Sequence, residues 1–491
     1  MSARRLVCCV GVFLAALWTA GAASAAVGPA ALGLRSLQIS TVPGLVPAFK
    51  SSVTDYVTRC QPSDEVQVSI LARPGVHVSV DNGPQLTGSF KRWVDLSAGQ
   101  EFDVTSSEWN VSSTYHVRCL PSDFPTFRAE VRGSRQTAFY IVTPHRYPNP
   151  EGFSPQYTAF FDNNGVPVWW MKSSGTSIPE DGTLLPDGNV AWIHAWSAVG
   201  PGGEDEVGME EHALDGSLVR TINTVGSEAN QHDVQVMPNG NYLMGRTFPV
   251  EGVDLSACGG PAKGRLLDFE LQELTPTDEL VWSWLASDHL SLTEVPPDKP
   301  GCKNDGDAYH WNSVEVDGNS YVLSFRNLDA VYDIDAASGA INWKLGGTPT
   351  PESLAVVGDD YPRTLCGQHD ARVLPDGTLT VFDDSTGCRG IPRGVRYTID
   401  AATRTVTLIE SVTNPLTRHA ECCGSARRLP GGNWVMGWGE TGLVTEQTET
   451  GATTFQLRFP RGWYTYRAIP VPPGQVSIEA LRAGMDAQFP R

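Results

Sequence analysis

The sequence predicts an all-β protein in which a six-bladed β-propeller follows a small N-terminal β-sandwich domain. Hairpins recur at wide, fairly regular intervals after about residue 128, with turn glycines at Gly188, Gly240, Gly318, Gly377 and Gly432. Between them lie polar turns followed by strands rich in aromatic residues, such as FDNNGVPVWW and DIDAASGAINWKL. Two hairpins per unit make a four-stranded blade, so this repeat indicates a propeller.

The first 25 residues are typical of a secretory signal peptide. The basic start MSARR precedes an apolar stretch from Leu6 to about Ala20 and the small-residue site Ala23-Ser24-Ala25. That stretch is too short for a membrane span, and no other apolar run reaches spanning length. The mature chain is therefore expected to be exported to the periplasm or the extracellular space.

The rest of the chain divides by its strand pattern. Residues 26–128 consist of short alternating runs broken by Gly, Pro, Ser and Asp, which favours the sandwich. Residues 129–475 are assigned to the propeller and residues 476–491 to a C-terminal tail. The run 464–469 is expected to return and complete the first blade. The six predicted blades cover residues 136–172, 180–222, 231–286, 310–346, 368–412 and 419–460.

Charge and motif content exclude several classes of partner and cofactor. Without Arg4 and Arg5 of the signal peptide, the chain carries 34 basic and 55 acidic residues, a net charge of −21. Such a field repels nucleic acid and anionic membranes, so neither is an expected partner. No nucleotide-binding glycine motif follows a predicted strand. Aromatic residues at a fixed place in each blade more often fill the space between blades than hold a quinone, so no cofactor is expected.

Cysteine usage agrees with export, because an even number of cysteines in an oxidising compartment predicts disulfides. Cys60–Cys119 and Cys258–Cys302 are expected to pair within their own segments, and a zinc-thiolate site is disfavoured by the lack of CxxC pairs. A bridge between adjacent cysteines is strained. The remaining four cysteines are therefore expected to form two longer bridges, with Cys422 and Cys423 pairing separately with Cys366 and Cys388.

Three histidines occupy one repeat position. His232, His310 and His369 each stand eight residues before the turn glycine of their hairpin, and the equivalent residues in the two other hairpins are Glu180 and Gly424. Equivalent positions in repeated units occupy equivalent places in space. Since inner strands line the channel of a propeller, the three imidazoles are expected to converge near one end of it.

Arg326 is expected at the same rim, because it ends the strand that pairs with the strand after His310. A guanidinium beside imidazoles inside an acidic protein makes a local site for tetrahedral oxyanions. Asp233 and Asp370, each next to a histidine, are expected to point to the opposite side of their strands. His419, five residues before Gly424, is interpreted as a structural or rim histidine.

The combination of DAYHWNSV, LSFR, INWKLGG and QHDARVLPDGTLTVFDD, with HD at His232, resembles the bacterial arylsulfotransferases that need no nucleotide sulfate donor. The resemblance implies a six-bladed propeller, an aryl sulfate donor, a phenolic acceptor and a covalent sulfohistidine, and it allows a homodimer. Matched residue by residue, His369 falls on the nucleophile, while His310, Arg326 and His232 fall on residues that hold the sulfuryl group and handle protons. Asn312, in the same motif as His310, is predicted to bind substrate.

Two other classes of function stay open from the sequence. The three histidines could bind zinc in a metal-dependent hydrolase, which requires an open fourth position and supporting carboxylates. Alternatively, the chain could be a non-catalytic exported binding propeller. Metal analysis separates the first alternative from sulfuryl transfer, and turnover of an aryl sulfate separates the second.

Overall fold

The computed structural model describes residues 37–60, 65–146, 156–173, 178–195, 208–227, 229–299, 301–303, 306–388 and 390–491. The predicted signal peptide lies outside the described residues. Strands dominate these ranges, and helices are short and few. The all-β prediction is confirmed.

The N-terminal region contains two sheets packed on one apolar core. One sheet has the order β1-β4-β6 and the other β2-β3-β8-β7-β5. Side chains alternate along β4, and its inward residues Val66 and Val68 join Val104 and Val117 of the second sheet. This alternation is what a half-buried strand requires. The strands are β1 (Leu37–Val42), β2 (Leu45–Val46), β3 (Asp55–Arg59), β4 (Glu65–Ala72), β5 (His77–Val80), β6 (Ser89–Asp95), β7 (Glu101–Glu108) and β8 (Val111–Leu120).

The strands that follow build the propeller. The first half contains β9 (Arg128–Val131), β10 (Phe139–Val142), β11 (His145–Arg146), β12 (Tyr157–Asp162), β13 (Pro167–Lys172), β14 (Ile178–Leu184), β15 (Val190–Ala195), β16 (Met209–His212), β17 (Leu218–Ile222), β18 (Ala229–Val236), β19 (Tyr242–Val253), β20 (Gly264–Leu274) and β21 (Leu280–Leu285). The second half contains β22 (Trp311–Asp317), β23 (Ser320–Phe325), β24 (Ala330–Asp335), β25 (Ile341–Gly346), β26 (Ala355–Val357), β27 (His369–Val373), β28 (Leu379–Asp383), β29 (Arg393–Asp400), β30 (Thr405–Val412), β31 (Ser425–Arg428), β32 (Trp434–Gly437), β33 (Leu443–Gln447), β34 (Thr453–Arg458), β35 (Trp463–Tyr464) and β36 (Ala468–Val471).

Within the described ranges these strands form six sheets built on four antiparallel strands each. Sheet 1 has the order β13-β12-β10-β36, so the C-terminal strand completes the first sheet. Sheets 2 to 6 consist of β14–β17, β18–β21, β22–β25, β27–β30 and β31–β34. Strand β26 adds to sheet 5 and β9 adds to sheet 6, while β11 pairs separately with β35.

The six sheets close into a ring around a channel. The innermost strands β14, β18, β22, β27, β31 and β36 contact one another in that order, and β36 contacts β14. Tight turns set the register of the hairpins: Gly240, Gly318 and Gly377 have φ of 85°, 59° and 78°, a left-handed conformation that glycine adopts without strain. The turns therefore fix where each innermost strand begins, which is where the histidines lie.

Helices are minor but one of them joins the two parts of the chain. Four-residue α1 spans Ala286–His289, and α2 spans Ile478–Gln488 within the region predicted as a tail. Helix α2 packs against β13, and its Arg482 bonds Asp55 of the sandwich through two contacts of 2.7 and 2.8 Å. Short single-turn 3-10 segments cover Ser256–Cys258, Leu292–Glu294, Arg326–Leu328 and Gly439–Thr441.

One disulfide prediction was wrong. Cys60–Cys119 and Cys258–Cys302 are bridged as expected. Cys366, however, pairs with Cys388 across a Cα–Cα distance of 6.3 Å, and Cys422 pairs with its neighbour Cys423. The physical reason is proximity: the loop after β28 returns Cys388 to Cys366, whereas the left-handed φ of 69° at Cys423 turns two adjacent side chains to the same side.

Candidate active site

The predicted histidines converge at one end of the channel. The rings of His232 and His310 lie edge to face with centroids 5.0 Å apart. Tyr466, between β35 and β36, lies against His232 at 5.7 Å and against His369 at 6.4 Å. Three successive innermost strands and the closing segment of the chain thus meet at a single site, which we call the channel mouth.

His369 is held by a contact on each ring nitrogen. Its Nδ1 lies 2.6 Å from Oδ2 of Asp384, and its Nε2 accepts the backbone N–H of Cys423 at 3.3 Å. A backbone N–H can only donate, so Nε2 carries the lone pair and Nδ1 carries the proton of the neutral ring. Asp384 is therefore the group that orients His369, and Nε2 is the ring nitrogen with a lone pair.

The surroundings keep His369 uncharged. Burial lowers the pKa of His369 well below its usual value, and the nearby charges of Arg326, His232 and His310 lower it further. Burial also raises the pKa of Asp384 well above its usual value, although Arg326 opposes this shift. A neutral imidazole is the reactive form, because protonation would remove the lone pair.

The two other histidines are held through Nδ1 as well. His310 contacts Oδ2 of Asp307 at 2.5 Å, and His232 contacts Oδ1 of Asn230 at 2.5 Å. An amide oxygen is an acceptor only, so neutral His232 has its proton on Nδ1 and a lone pair on Nε2. The side chain of His310 is 28% exposed, more than those of the other two histidines, and can exchange protons with solvent.

Arg326 follows β23 directly and closes the hairpin, since its N–H donates to the carbonyl of His310 at 2.7 Å. Its Nη2 donates to the carbonyl of Glu421 at 2.7 Å and its Nη1 to Asn327 at 3.1 Å. The Nε–H is buried and has no hydrogen-bond partner among the described residues. An orphaned guanidinium donor at the channel mouth is suited to an incoming oxyanion.

Asn312 is fully buried rather than open to the mouth. Its amide donates to the carbonyl of Gln368 at 2.7 Å, directly before His369. Asn312 thus ties β22 to β27 and supports the strand that carries His369. Substrate binding by Asn312 stays a prediction.

A buried ionic network closes the channel beneath the histidines. Arg467 bonds Asp181 at 2.6 Å and Asp233 at 3.0 Å, and Asp370 accepts from Arg372 and Arg427 at 2.9 and 2.7 Å. Asp233 and Asp370 bond arginines of this network rather than the adjacent imidazoles. The register shifts at this point in β18 and β27, so each strand bulges and turns its aspartate inward.

The opposite side of the mouth is aromatic and acidic. Glu180 occupies the repeat position of the histidines in sheet 2, with its Oε1 3.4 Å from the hydroxyl of Tyr464 and 3.8 Å from Nε2 of His145. Burial raises the pKa of Glu180 to about 8. The hydroxyl of Tyr466 is buried without a hydrogen-bond partner among the described residues.

Sequence reasoning did not find Asp384, Asp307 or Asn230, although signals existed. Asp307 and Asn230 lie three and two residues before their histidines. Asp384 follows the strand paired with β27, and His369 is opposite Phe382, so a residue just beyond that strand lies beside the imidazole. The same hairpin geometry had already placed Arg326.

His419 and a group of possible metal ligands in the sandwich are not part of the channel mouth. The side chain of His419 is 65% exposed and lies near Glu421. Among the residues described, only Glu101, Asp103 and His116 of the sandwich bring three potential metal-ligand atoms within 4.8 Å of one another. The channel histidines do not form such a set, and each has its Nδ1 engaged by a neighbouring side chain.

The fold and the mouth together define a β-propeller protein with a buried cluster of histidines. The family model for arylsulfotransferase (ASST) matches residues 210–460, just over half of the chain, and the chain belongs to this family. No curated protein matches the sequence significantly. No helix in the described part of the chain is long and apolar enough to cross a membrane.

The solved structures that match this chain are only remotely similar to it. A protein of unknown function from Bacteroides caccae is 12% identical with a TM-score of 0.42, covering 68% of this chain and 99% of its own. A putative 6-phosphogluconolactonase from Bacteroides fragilis is 13% identical with a TM-score of 0.39, covering 69% of this chain and 100% of its own. Likeness at this level gives no information about activity.

Proposed function

We propose that the protein is an aryl-sulfate sulfotransferase that moves a sulfuryl group from an aryl sulfate ester to a phenolic acceptor through a sulfohistidine at His369. The observation that carries the proposal is the state of His369: a neutral imidazole with Nδ1 on Asp384 and a lone pair on Nε2 at the channel mouth. Membership in the arylsulfotransferase family supports sulfuryl transfer.

In the first half-reaction, Nε2 of His369 attacks sulfur opposite the ester oxygen. The N–S bond forms as the S–O bond to the aryl group breaks, and the departing phenolate takes a proton from His310. The imidazole becomes an imidazolium that carries the sulfuryl group. Its positive charge is stabilised by Asp384, which lies against Nδ1.

In the second half-reaction, the hydroxyl oxygen of a phenol attacks the same sulfur. The new S–O bond forms as the N–S bond breaks, and the phenol gives its proton to His310, which lies against Asp307. His369 returns to the neutral ring with the lone pair on Nε2. Splitting one transfer between two poor nucleophiles into two steps lowers the barrier of each.

Arg326 is the main residue assigned to stabilise negative charge on the sulfuryl oxygens, because its Nε–H has no hydrogen-bond partner among the described residues. The contribution of His232 is less direct. Burial, His310 and Arg467 lower the pKa of His232 well below its usual value, and the neutral ring presents an acceptor rather than a donor at Nε2. His232 is therefore assigned to handling a proton or fixing the position of His310, with which it is in ring contact.

Rapid mixing with 4-nitrophenyl sulfate, without acceptor, tests the proposal. We expect a burst of one 4-nitrophenol per enzyme and a sulfuryl group on the peptide that contains His369. His369→Ala and His369→Asn should abolish the burst, while His419→Ala, which changes an exposed histidine, should leave it intact. A sulfuryl group on His310, or full activity of His369→Ala, would show the assignment to be wrong.

A location outside the cytoplasm is part of the proposal. The signal-peptide pattern of the first 25 residues and the four disulfides both support it. Expression with and without residues 1–25, followed by fractionation, should place only the full-length product outside the cytoplasm.

A further inference from the structure

A short segment before sheet 6, residues 420–424, contacts several groups of the channel mouth. The carbonyl of Glu421 accepts from Nη2 of Arg326 at 2.7 Å, and the N–H of Gly424 donates to the carbonyl of Tyr466 at 2.9 Å. Between these anchors, the N–H of Cys423 reaches Nε2 of His369 at 3.3 Å. The segment therefore links Arg326, His369 and the stretch of chain between β35 and β36.

The conformation of this segment is tightly specified. Cys423 and Gly424 have consecutive left-handed φ values of 69° and 103°. A Cβ at Gly424 would lie 2.5 Å from the ring of Phe382 and 2.8 Å from the carbonyl of Gly437, so no larger residue fits there. The Cys422–Cys423 disulfide closes a small covalent ring that contains the peptide bond between them. That peptide bond carries the N–H that points at His369.

We propose that the backbone N–H of Cys423 is a catalytic hydrogen-bond donor to the sulfuryl group, and that the Cys422–Cys423 disulfide holds this N–H in position. The inference rests on the proposed function, because it concerns the same transfer. When sulfur bonds to Nε2, the lone pair that now accepts the N–H is consumed. The N–H then needs a new acceptor. The nearest acceptors are the oxygens of the sulfuryl group whose sulfur is bonded to Nε2.

The donors at the mouth agree with this assignment. Neutral His232 cannot donate from Nε2, which leaves the Nε–H of Arg326 and the hydroxyl of Tyr466 as the unengaged side-chain donors identified there. A backbone N–H locked in a ring is held in place before the reaction begins, which is the property that makes such donors effective. In the free protein the same N–H keeps His369 in the tautomer with an unprotonated Nε2. One group thus prepares the nucleophile and then binds the product of its attack.

The test compares Cys422→Ser/Cys423→Ser with Cys60→Ser/Cys119→Ser, which removes a disulfide of the sandwich instead. We expect the first variant to form sulfo-enzyme about tenfold or more slowly, with little change in KM for the donor. In ¹⁵N NMR spectra, the wild-type His369 ring should show its proton on Nδ1, and the variant should show a mixture of tautomers. The control should match the wild type in both measurements.

Replacement of residue 423 by the corresponding α-hydroxy acid provides a second test that does not depend on the folding of the serine variant. It exchanges only the N–H for an oxygen and keeps both sulfur atoms. Slow sulfo-enzyme formation supports the proposal, and wild-type rate and tautomer in either folded variant overturn it. Absence of a burst in the wild type instead overturns the proposed function, so the two failures are distinguishable.

Discussion

Replacing Asp384 by asparagine tests the step on which the proposed reaction depends. Oδ2 of Asp384 lies 2.6 Å from Nδ1 of His369, and both side chains are buried. The contact gains strength when the ring becomes a sulfo-imidazolium, because a hydrogen bond to a charged group contributes about 1.5–3 kcal/mol. Loss of that increment should slow sulfo-enzyme formation by about 10- to 150-fold. Donor binding precedes the charge, so KM should change little.

Asp383→Asn is the matched control, since Asp383 is the adjacent buried carboxylate but bonds Arg393 at 3.0 Å and not the histidine. Stopped-flow measurement of 4-nitrophenol release should show a slow burst for Asp384→Asn alone, whereas Asp383→Asn should lower thermal stability. Because the pKa of Asp384 is raised, its negative charge appears only as pH rises. The wild-type burst should therefore accelerate with pH more than that of Asp384→Asn. Equal losses in both variants, or no loss in Asp384→Asn, would refute the reasoning.

Three further predictions concern other groups at the mouth. Arg326→Ala should slow both half-reactions by about 100-fold or more while a slowly formed sulfo-enzyme stays detectable by mass spectrometry; complete absence of that species would make Arg326 a structural residue. His310→Asn should slow transfer from esters of weakly acidic phenols by about 100-fold but affect 4-nitrophenyl sulfate much less, since a stable phenolate needs less protonation, and a uniform loss would contradict the acid role. Glu180→Gln should leave stability unchanged near pH 4 but raise it at about pH 9. The pKa of Glu180 rises from its usual 4.5 to about 8 in the folded state. Wild-type stability therefore falls as pH rises through this window, by on the order of 5 kcal/mol at most. If denaturant unfolding gave the two proteins the same change in unfolding free energy with pH, the shift would be contradicted.

The fold and the histidine cluster were predictable because both follow from local patterns. Each hairpin is marked in the sequence by a turn glycine, which has a positive φ in the structure. Counting a fixed number of residues back from that glycine gives the start of the innermost strand. His232, His310 and His369 share the offset, so a closed ring of sheets brings them to one mouth. Arg326 followed from the pairing of β22 with β23, which needs no knowledge of distant contacts.

The contacts that activate the site were harder to predict because they depend on which backbone atoms meet across sheets. Arg467 and Asp233 are 234 residues apart, and their ion pair exists only because β36 closes the ring of innermost strands between β31 and β14. The N–H of Cys423 reaches His369 through a left-handed turn that the sequence does not specify. The same turn permits the Cys422–Cys423 bridge, which is why the pairing expected from the sequence was wrong.

The bulges next to the histidines explain how one strand position can serve both the site and the fold. In a regular strand, His369 and Asp370 would point to opposite faces of the sheet, and neither would point along the channel. A left-handed φ of 57° at Asp370 turns its carboxylate toward Arg372 and Arg427 beneath the mouth. Asp181 repeats this conformation in sheet 2 with a φ of 49°, and it bonds Arg467. Left-handed backbone at a non-glycine residue costs about 1–3 kcal/mol, and here each such residue forms buried ion pairs that offset the cost. The ionic network thus stabilises the bulges beside His369 and Glu180, since relaxing either bulge would leave buried arginines unpaired.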